Sequence, residues 1–145
     1  MPHHDKTVHI LLVEDHKADI ALTRRAFRNG QVKVQLSVAF DGVEAMQFLT
    51  RQGRFTGATQ PDLILLDLNM PRMGGREVLR LVKNDPALQN IPVIVLTTSS
   101  DDKDVIESYD LRANAYIVKP VDYSKFQQAL DTMGDFWFNV VRLPK

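Results

Sequence analysis

The chain has 145 residues, 44% of them hydrophobic and 25% charged, enough for one ordinary domain with a real core. Its 18 basic and 18 acidic side chains cancel, so net charge gives no pull towards nucleic acid or an anionic membrane. The absence of cysteine excludes a disulfide framework, a thiolate nucleophile and a cysteine metal site.

The first ten residues, MPHHDKTVHI, carry neither a basic n-region nor a long apolar h-region. No apolar run reaches the ~18 residues of a membrane span. The expectation is a cytoplasmic protein with residues 1–6 as a loose tail. Val8–Val13 (VHILLV) then reads as a strand, and Lys17–Arg28, with Ile20, Ala21, Leu22 and Phe27, as a helix. Val32–Ala39 alternates Val32, Val34, Leu36 and Val38 with polar residues, which places it at a sheet edge. Val43–Leu49 is a helix pattern, and Arg51–Gln60 (RQGRFTGATQ) a surface loop. Leu63–Leu66 (LILL) is the third strand. Arg76–Lys83 is a helix that Pro86 ends at or before Asp85. Val93–Leu96, a helix at Asp102–Leu111, Ala115–Val118 and a long helix at Tyr123–Leu143 complete the chain.

Strand and helix alternate five times. The strand runs are rich in Val, Ile and Leu, as befits strands buried on both faces. This predicts an α/β fold with a doubly wound parallel sheet, helices on both faces and right-handed crossovers.

The strand runs end alike. Glu14 and Asp15 follow the first, Asp67 the third, Thr97 the fourth and Lys119 the fifth. In an open parallel sheet the strand carboxyl ends share one edge, and ligands bind in the crevice there. Taken alone, Asp67 reads as a turn or helix cap, Thr97 as an N-cap hydroxyl, and Lys119 as a solvated lysine. Taken together they form a site. Two like charges ~5 Å apart repel by roughly 3 kcal/mol at an effective dielectric of ~20. Lys119 and a hard divalent cation such as Mg²⁺ would balance three carboxylates.

The motifs LLVED, DLILLDLNMP followed by MGG, PVIVLTTS and AYIVKP occur in this order over residues 7–133. In them the chain resembles the response-regulator receiver domains of two-component signalling. The resemblance implies a flavodoxin-like (βα)5 fold with strand order 2-1-3-4-5, an order for which the general rule already cites a chemotaxis receiver. It implies Asp67 as phosphoryl acceptor, and Mg²⁺ on Glu14, Asp15, Asp67 and the Asn69 backbone carbonyl. It further implies Lys119 on the phosphoryl oxygens and Thr97 as the hydroxyl donor and switch. Tyr116 would be the switch aromatic, and Lys119–Pro120 a cis peptide. The donor would be the phosphohistidine of a sensor histidine kinase, and the output face the fourth helix, fifth strand and fifth helix. The protein would be a phosphoacceptor signalling protein, not an enzyme of multiple turnover.

SYDLRANAYIVKP and FWFNVVRLP resemble the stand-alone regulators of bacterial and cyanobacterial phytochromes, which implies a phytochrome kinase partner and a homodimer. Residues 134–145 extend the last helix. One helix face cannot bury Phe136, Trp137 and Phe138 together, and a dimer contact is their functional reading. No segment reads as a DNA-binding domain, so no nucleic-acid partner is expected. Arg112 departs from the pattern: it stands where receivers carry Gly at the end of the fourth helix. The expectation is a different cap, or a side chain with a role on the signalling face.

Two rivals have weaker support. A Mg²⁺-dependent aspartyl phosphatase resembling the haloacid dehalogenases would carry a second Asp at the position held by Asn69. A nucleotide or flavin module would need a Gly-rich or hydroxyl-rich turn after the first strand, where this chain has Glu14-Asp15-His16-Lys17. A phosphorelay intermediate without its own output remains an alternative within the receiver reading.

Overall fold

The computed structural model describes residues 7–30, 32–70, 73–98 and 111–133. Five strands form one parallel sheet: β1 (Val8–Val13), β2 (Val34–Ala39), β3 (Leu63–Asp67), β4 (Val93–Thr97) and β5 (Ala115–Val118). Their spatial order is β2-β1-β3-β4-β5, as expected. Helices α1 (Lys17–Arg28), α2 (Gly42–Leu49), α3 (Gly75–Asn84) and α4 (Tyr123–Thr132) are described. The predicted helix at 102–110 and the extension 134–145, with Phe136, Trp137 and Phe138, lie outside the described residues. Leu111, the predicted end of the former, stands in a turn.

Strand alternation sends successive side chains to opposite faces. Ile10, Leu12, Leu63, Leu65, Ile94, Leu96 and Ile117 pack with Phe27 of α1 and Phe126 of α4. Leu11, Val13, Ile64, Leu66, Val93 and Val95 pack on the other face with Phe48 of α2 and Leu79 of α3. The two buried layers explain why β1, β3 and β4 are continuous aliphatic runs. β2 takes the edge, as its alternation requires, but begins at Val34 rather than Val32. The Arg51–Gln60 segment is more ordered than a bare loop. It contains a 3-10 turn at Gly53–Phe55, and the Phe55 ring lies 5.3 Å from that of Phe48.

Asp41 and Asp122 cap α2 and α4 by accepting from the backbone N–H of Glu44 and Lys125, each at 2.8 Å. Gly75 opens α3 against the end of β3: a Cβ there would stand 2.2 Å from the Asp67 carbonyl oxygen. This glycine lets α3 start directly against the strand end that carries Asp67. No helix among the described residues is long and apolar enough to cross a membrane.

Candidate functional site

Each functional side chain sits at the carboxyl end of a strand because the strands are parallel and nearly in register there. Val13 pairs with Leu66, Asp67 with Leu96, and Thr97 with Val118. Glu14 and Asp15 therefore leave β1 beside Asp67, with Thr97 and Lys119 on the next two strands. By strand alternation Glu14, Asp67 and Lys119 lie towards the face covered by α1 and α4, and Thr97 towards the opposite face. Glu14, Asp67 and Thr97 are buried, at 1%, 3% and 1% exposure, while Asp15 is exposed.

Lys119 is the hub. Its Nζ lies 2.7 Å from Glu14 Oε1, 3.1 Å from Asp67 Oδ2 and 3.1 Å from Asp19 Oδ2. The last partner is a finding of the structure. Asp19, in the first turn of α1, is a fourth carboxylate that the strand-end pattern does not contain. Its Oδ2 also stands 3.4 Å from His16 Nδ1. His16 begins α1 as its N-cap without a side-chain cap bond, and Glu14 Oε2 accepts its backbone N–H at 3.2 Å. The balance of three carboxylates against one lysine and one divalent cation therefore needs correction: four acids gather at this edge, Glu14, Asp19 and Asp67 on the ammonium and exposed Asp15 beside Glu14 and Asp67.

Burial pushes the Glu14 carboxyl up to about 7, and the negative charge of Asp67 adds to the rise while Lys119 opposes it. Burial works against the Lys119 ammonium as well. The contacts with Glu14, Asp67 and Asp19 outweigh it and hold the ammonium well above the usual lysine range. Lys119 is therefore a fixed positive charge.

A cation fits beside it. One carboxylate oxygen each from Glu14, Asp15 and Asp67 lies within 4.8 Å of the others. Two oxygens on opposite sides of one ion, at about 2.1–2.4 Å, stand about 4–5 Å apart. Glu14 Oε1 is buried, and although Lys119 is close, no donor is aimed at this oxygen. Such an oxygen suits a metal, which needs no directed hydrogen. Asn69 stands at the same rim, its backbone N–H donating to Asp67 Oδ1 at 3.0 Å.

Tyr116 pairs with Val95 across β4–β5, on the same sheet face as Thr97 and two residues short of its level. It is 36% exposed. The Lys119–Pro120 peptide is cis, as the resemblance implied. Arg112 corrects an expectation. It keeps the left-handed backbone with φ +69°, so no different cap replaces the glycine conformation. Its guanidinium donates to the Lys83 carbonyl oxygen, and to Asn84 Oδ1 at 3.1 Å. Its side chain thus closes the carboxyl end of α3.

A parallel 2-1-3-4-5 sheet with an acid cluster and a lysine at its carboxyl edge is the architecture of a phosphoacceptor module, and the comparisons agree. Residues 10–131 match the response regulator receiver domain, and the chain belongs to that family. It is 43% identical over 135 residues to the response regulator Rcp1 of Synechocystis sp., covering 93% of this chain and 92% of Rcp1. The phosphorylated cyanobacterial phytochrome response regulator RcpA is 45% identical, with a TM-score of 0.76 over 96% of this chain and 99% of that one. The Mn²⁺-bound form of Rcp1 gives 42% identity and a TM-score of 0.75, over 95% and 99% of the two chains. The bacteriophytochrome response regulator RtBRR gives 41% and 0.82, over 90% and 80%. The chain is thus a receiver of two-component signalling related to phytochrome response regulators.

Proposed function

We propose that Asp67 accepts a phosphoryl group from the phosphohistidine of a sensor histidine kinase, and that Glu14, Asp15, Asp67 and the Asn69 carbonyl hold a Mg²⁺ ion during transfer. The observation that carries this reading is the ammonium of Lys119 at 3.1 Å from a buried Asp67 carboxylate beside a three-acid cluster. One Asp67 oxygen attacks phosphorus, the P–N bond to the histidine breaks, and the imidazole keeps the electron pair and takes a proton. Lys119 turns from the carboxylate to the phosphoryl oxygens and stabilises their charge. The metal, when bound, supplies further positive charge to those oxygens. Thr97, next in line on β4, donates its hydroxyl to the phosphoryl group. Tyr116 follows into the vacated space and changes the surface of β5 and α4. Among the described residues a groove of about 350 Å³, lined by Tyr116 and Val118 with Gln128 and Thr132, opens on that surface.

The named relatives support a phytochrome as the kinase, and a divalent ion sits in one of them. Homodimerisation through Phe136, Trp137 and Phe138 belongs to the same proposal, with sedimentation of the full chain as its test; so does a cytoplasmic location, tested by fractionation. The decisive experiment is labelling with a phosphohistidine kinase or acetyl phosphate. The native chain incorporates label only with Mg²⁺, EDTA abolishes it, and Asp67→Asn takes up none. Label retained in Asp67→Asn would overturn the assignment.

A further inference from the structure

Three carboxylates lie within 3.1 Å of the Lys119 ammonium, and two of them, Asp19 and Asp67, accept its directed hydrogen bonds. Two of the partners are committed to the chemistry proposed above. Asp67 becomes an acyl phosphate, and Glu14 belongs to the acid cluster that fits a metal. Asp19 belongs to neither: it is outside the group of acids whose oxygens converge, and among the described residues it meets the site through Lys119 and His16. It also comes from a separate element, the first turn of α1, 100 residues from Lys119 in sequence.

We propose that Asp19 is a positioning residue, the fixed anchor that holds Lys119 in place while the lysine's other partners change from carboxylate to phosphoryl oxygen. This rests on the reading of Asp67 as phosphoryl acceptor. At rest Lys119 Nζ is equidistant from Asp19 and Asp67, 3.1 Å from each. After transfer the Asp67 carboxyl, now part of an acyl phosphate anhydride, no longer carries its own negative charge, and Glu14 would be shared with a bound ion. The charge-assisted bond to Asp19 is the resting contact that needs no rearrangement. α1 is well placed to hold it rigid. Phe27 of α1 packs edge-on against Phe126 of α4 at 4.6 Å, and the Thr23 hydroxyl bonds the Asp19 carbonyl at 2.8 Å. Without the anchor the lysine's long stem is free to choose other rotamers, and a small misplacement of a catalytic charge slows the step it serves.

The sign of the effect separates anchoring from simple electrostatics. Deleting a negative charge beside the site ought to favour an anionic phosphodonor; loosening Lys119 does the reverse. The test measures Asp67 labelling with isotopic acetyl phosphate at saturating Mg²⁺ for the native chain, Asp19→Asn and Asp19→Glu. Asp19→Asn lowers the maximal labelling rate about tenfold with little change in half-saturating acetyl phosphate. Asp19→Glu, which retains the charge on a longer arm, recovers most of it. Melting temperatures of the same variants in EDTA separate loss of fold from loss of positioning. In a Lys119→Ala background, Asp19→Asn has no further effect on rate. A rate in Asp19→Asn equal to or above native overturns the proposal, as does an undiminished effect without Lys119. A native chain that takes up no label would instead overturn the parent reading of Asp67.

Discussion

Two lysines, Lys83 buried and Lys119 half-buried, stand at opposite edges of the same sheet, and their environments differ in kind. Lys119, at the carboxyl edge, is ringed by the carboxylates of Glu14, Asp19 and Asp67. Lys83, at the last turn of α3 near the amino edge, is 6% exposed and has neutral acceptors. It donates to the carbonyls of Gln89 at 3.3 Å and Ile91 at 3.0 Å, and to Asn114 Oδ1 at 3.2 Å. Asn114 Oδ1 also accepts the backbone N–H of Val93 at 2.8 Å, so this lysine ties α3 to the starts of β4 and β5. Burial lowers the Lys83 pKa, and the nearby Arg112 charge lowers it further, whereas the carboxylates raise that of Lys119. The same side chain serves as a fixed charge within an acid cluster and as a multivalent donor where loops must be fastened.

Replacing each lysine by methionine sharpens this contrast most. Lys119→Met leaves buried acids uncompensated and is expected to cost about 3 kcal/mol in EDTA. Millimolar Mg²⁺ restores much of that loss, because the ion binds only the folded cluster. Labelling of Asp67 falls by roughly 10²-fold, the usual effect of deleting a group that stabilises transition-state charge. Lys83→Met loses three hydrogen bonds but also sheds a desolvated charge, so the expected cost is about 1–2 kcal/mol. Its labelling rate is native, and Mg²⁺ gives it no more protection than it gives the native chain. Urea melts with and without Mg²⁺, read beside labelling rates, check both. Equal Mg²⁺ rescue of the two variants would erase the distinction.

These environments were unequally legible in the sequence. Val, Ile and Leu runs buried on both faces can hardly form anything but central strands of a parallel sheet. Once the strands are parallel, residues just after them must share an edge, which is why Glu14, Asp15, Asp67, Thr97 and Lys119 could be assembled from order alone. Asp19 could not. Its approach to Lys119 depends on how the first turn of α1 lies over β5, a tertiary fact with no local pattern. Its one trace is the spacing from His16 at the start of α1, three residues and about one helical turn. Lys83 looks like any basic residue complementing a helix carboxyl end; only contacts with Ile91 and Asn114 reveal its burial. Arg112 was half legible: the sequence marks it as out of place at a glycine position, but neither the left-handed backbone it keeps nor its bond to α3 was expected.

The lysines also differ in what alkali does to them. The Lys119 pKa is raised, so its contribution is complete below the unfolded-state value of 10.5 and survives until pH passes the still higher folded value. The Lys83 pKa is lowered, so the folded state releases this proton before the unfolded state does. In the window ending at 10.5 the unfolded chain binds more protons there, and stability gains as pH rises. Subtracting the Lys83→Met stability profile from the native one therefore isolates a term that climbs towards pH 10.5. A flat or falling difference contradicts the buried, charge-disfavouring site.

Arg112 yields the smallest effect and the finest test of the structural edge. At φ +69° a residue with a Cβ carries about 1 kcal/mol of strain that glycine avoids. Its guanidinium returns roughly as much through the Lys83 carbonyl and Asn84 Oδ1. Arg112→Gly relieves the strain and loses the bonds, so its stability stays within about 1 kcal/mol of native. Arg112→Ala keeps the strain and loses the bonds, and is expected to fall about 1–2 kcal/mol below native. The gap between Ala and Gly in urea melts measures the backbone strain less the extra unfolded-state freedom of glycine, and equal stabilities would mean that the strain is no larger than that freedom. Either substitution also removes a positive charge from beside Lys83. The alkaline stability term just described should shrink in both variants by the same amount, whatever their backbone strain, because it depends on charge and not on φ.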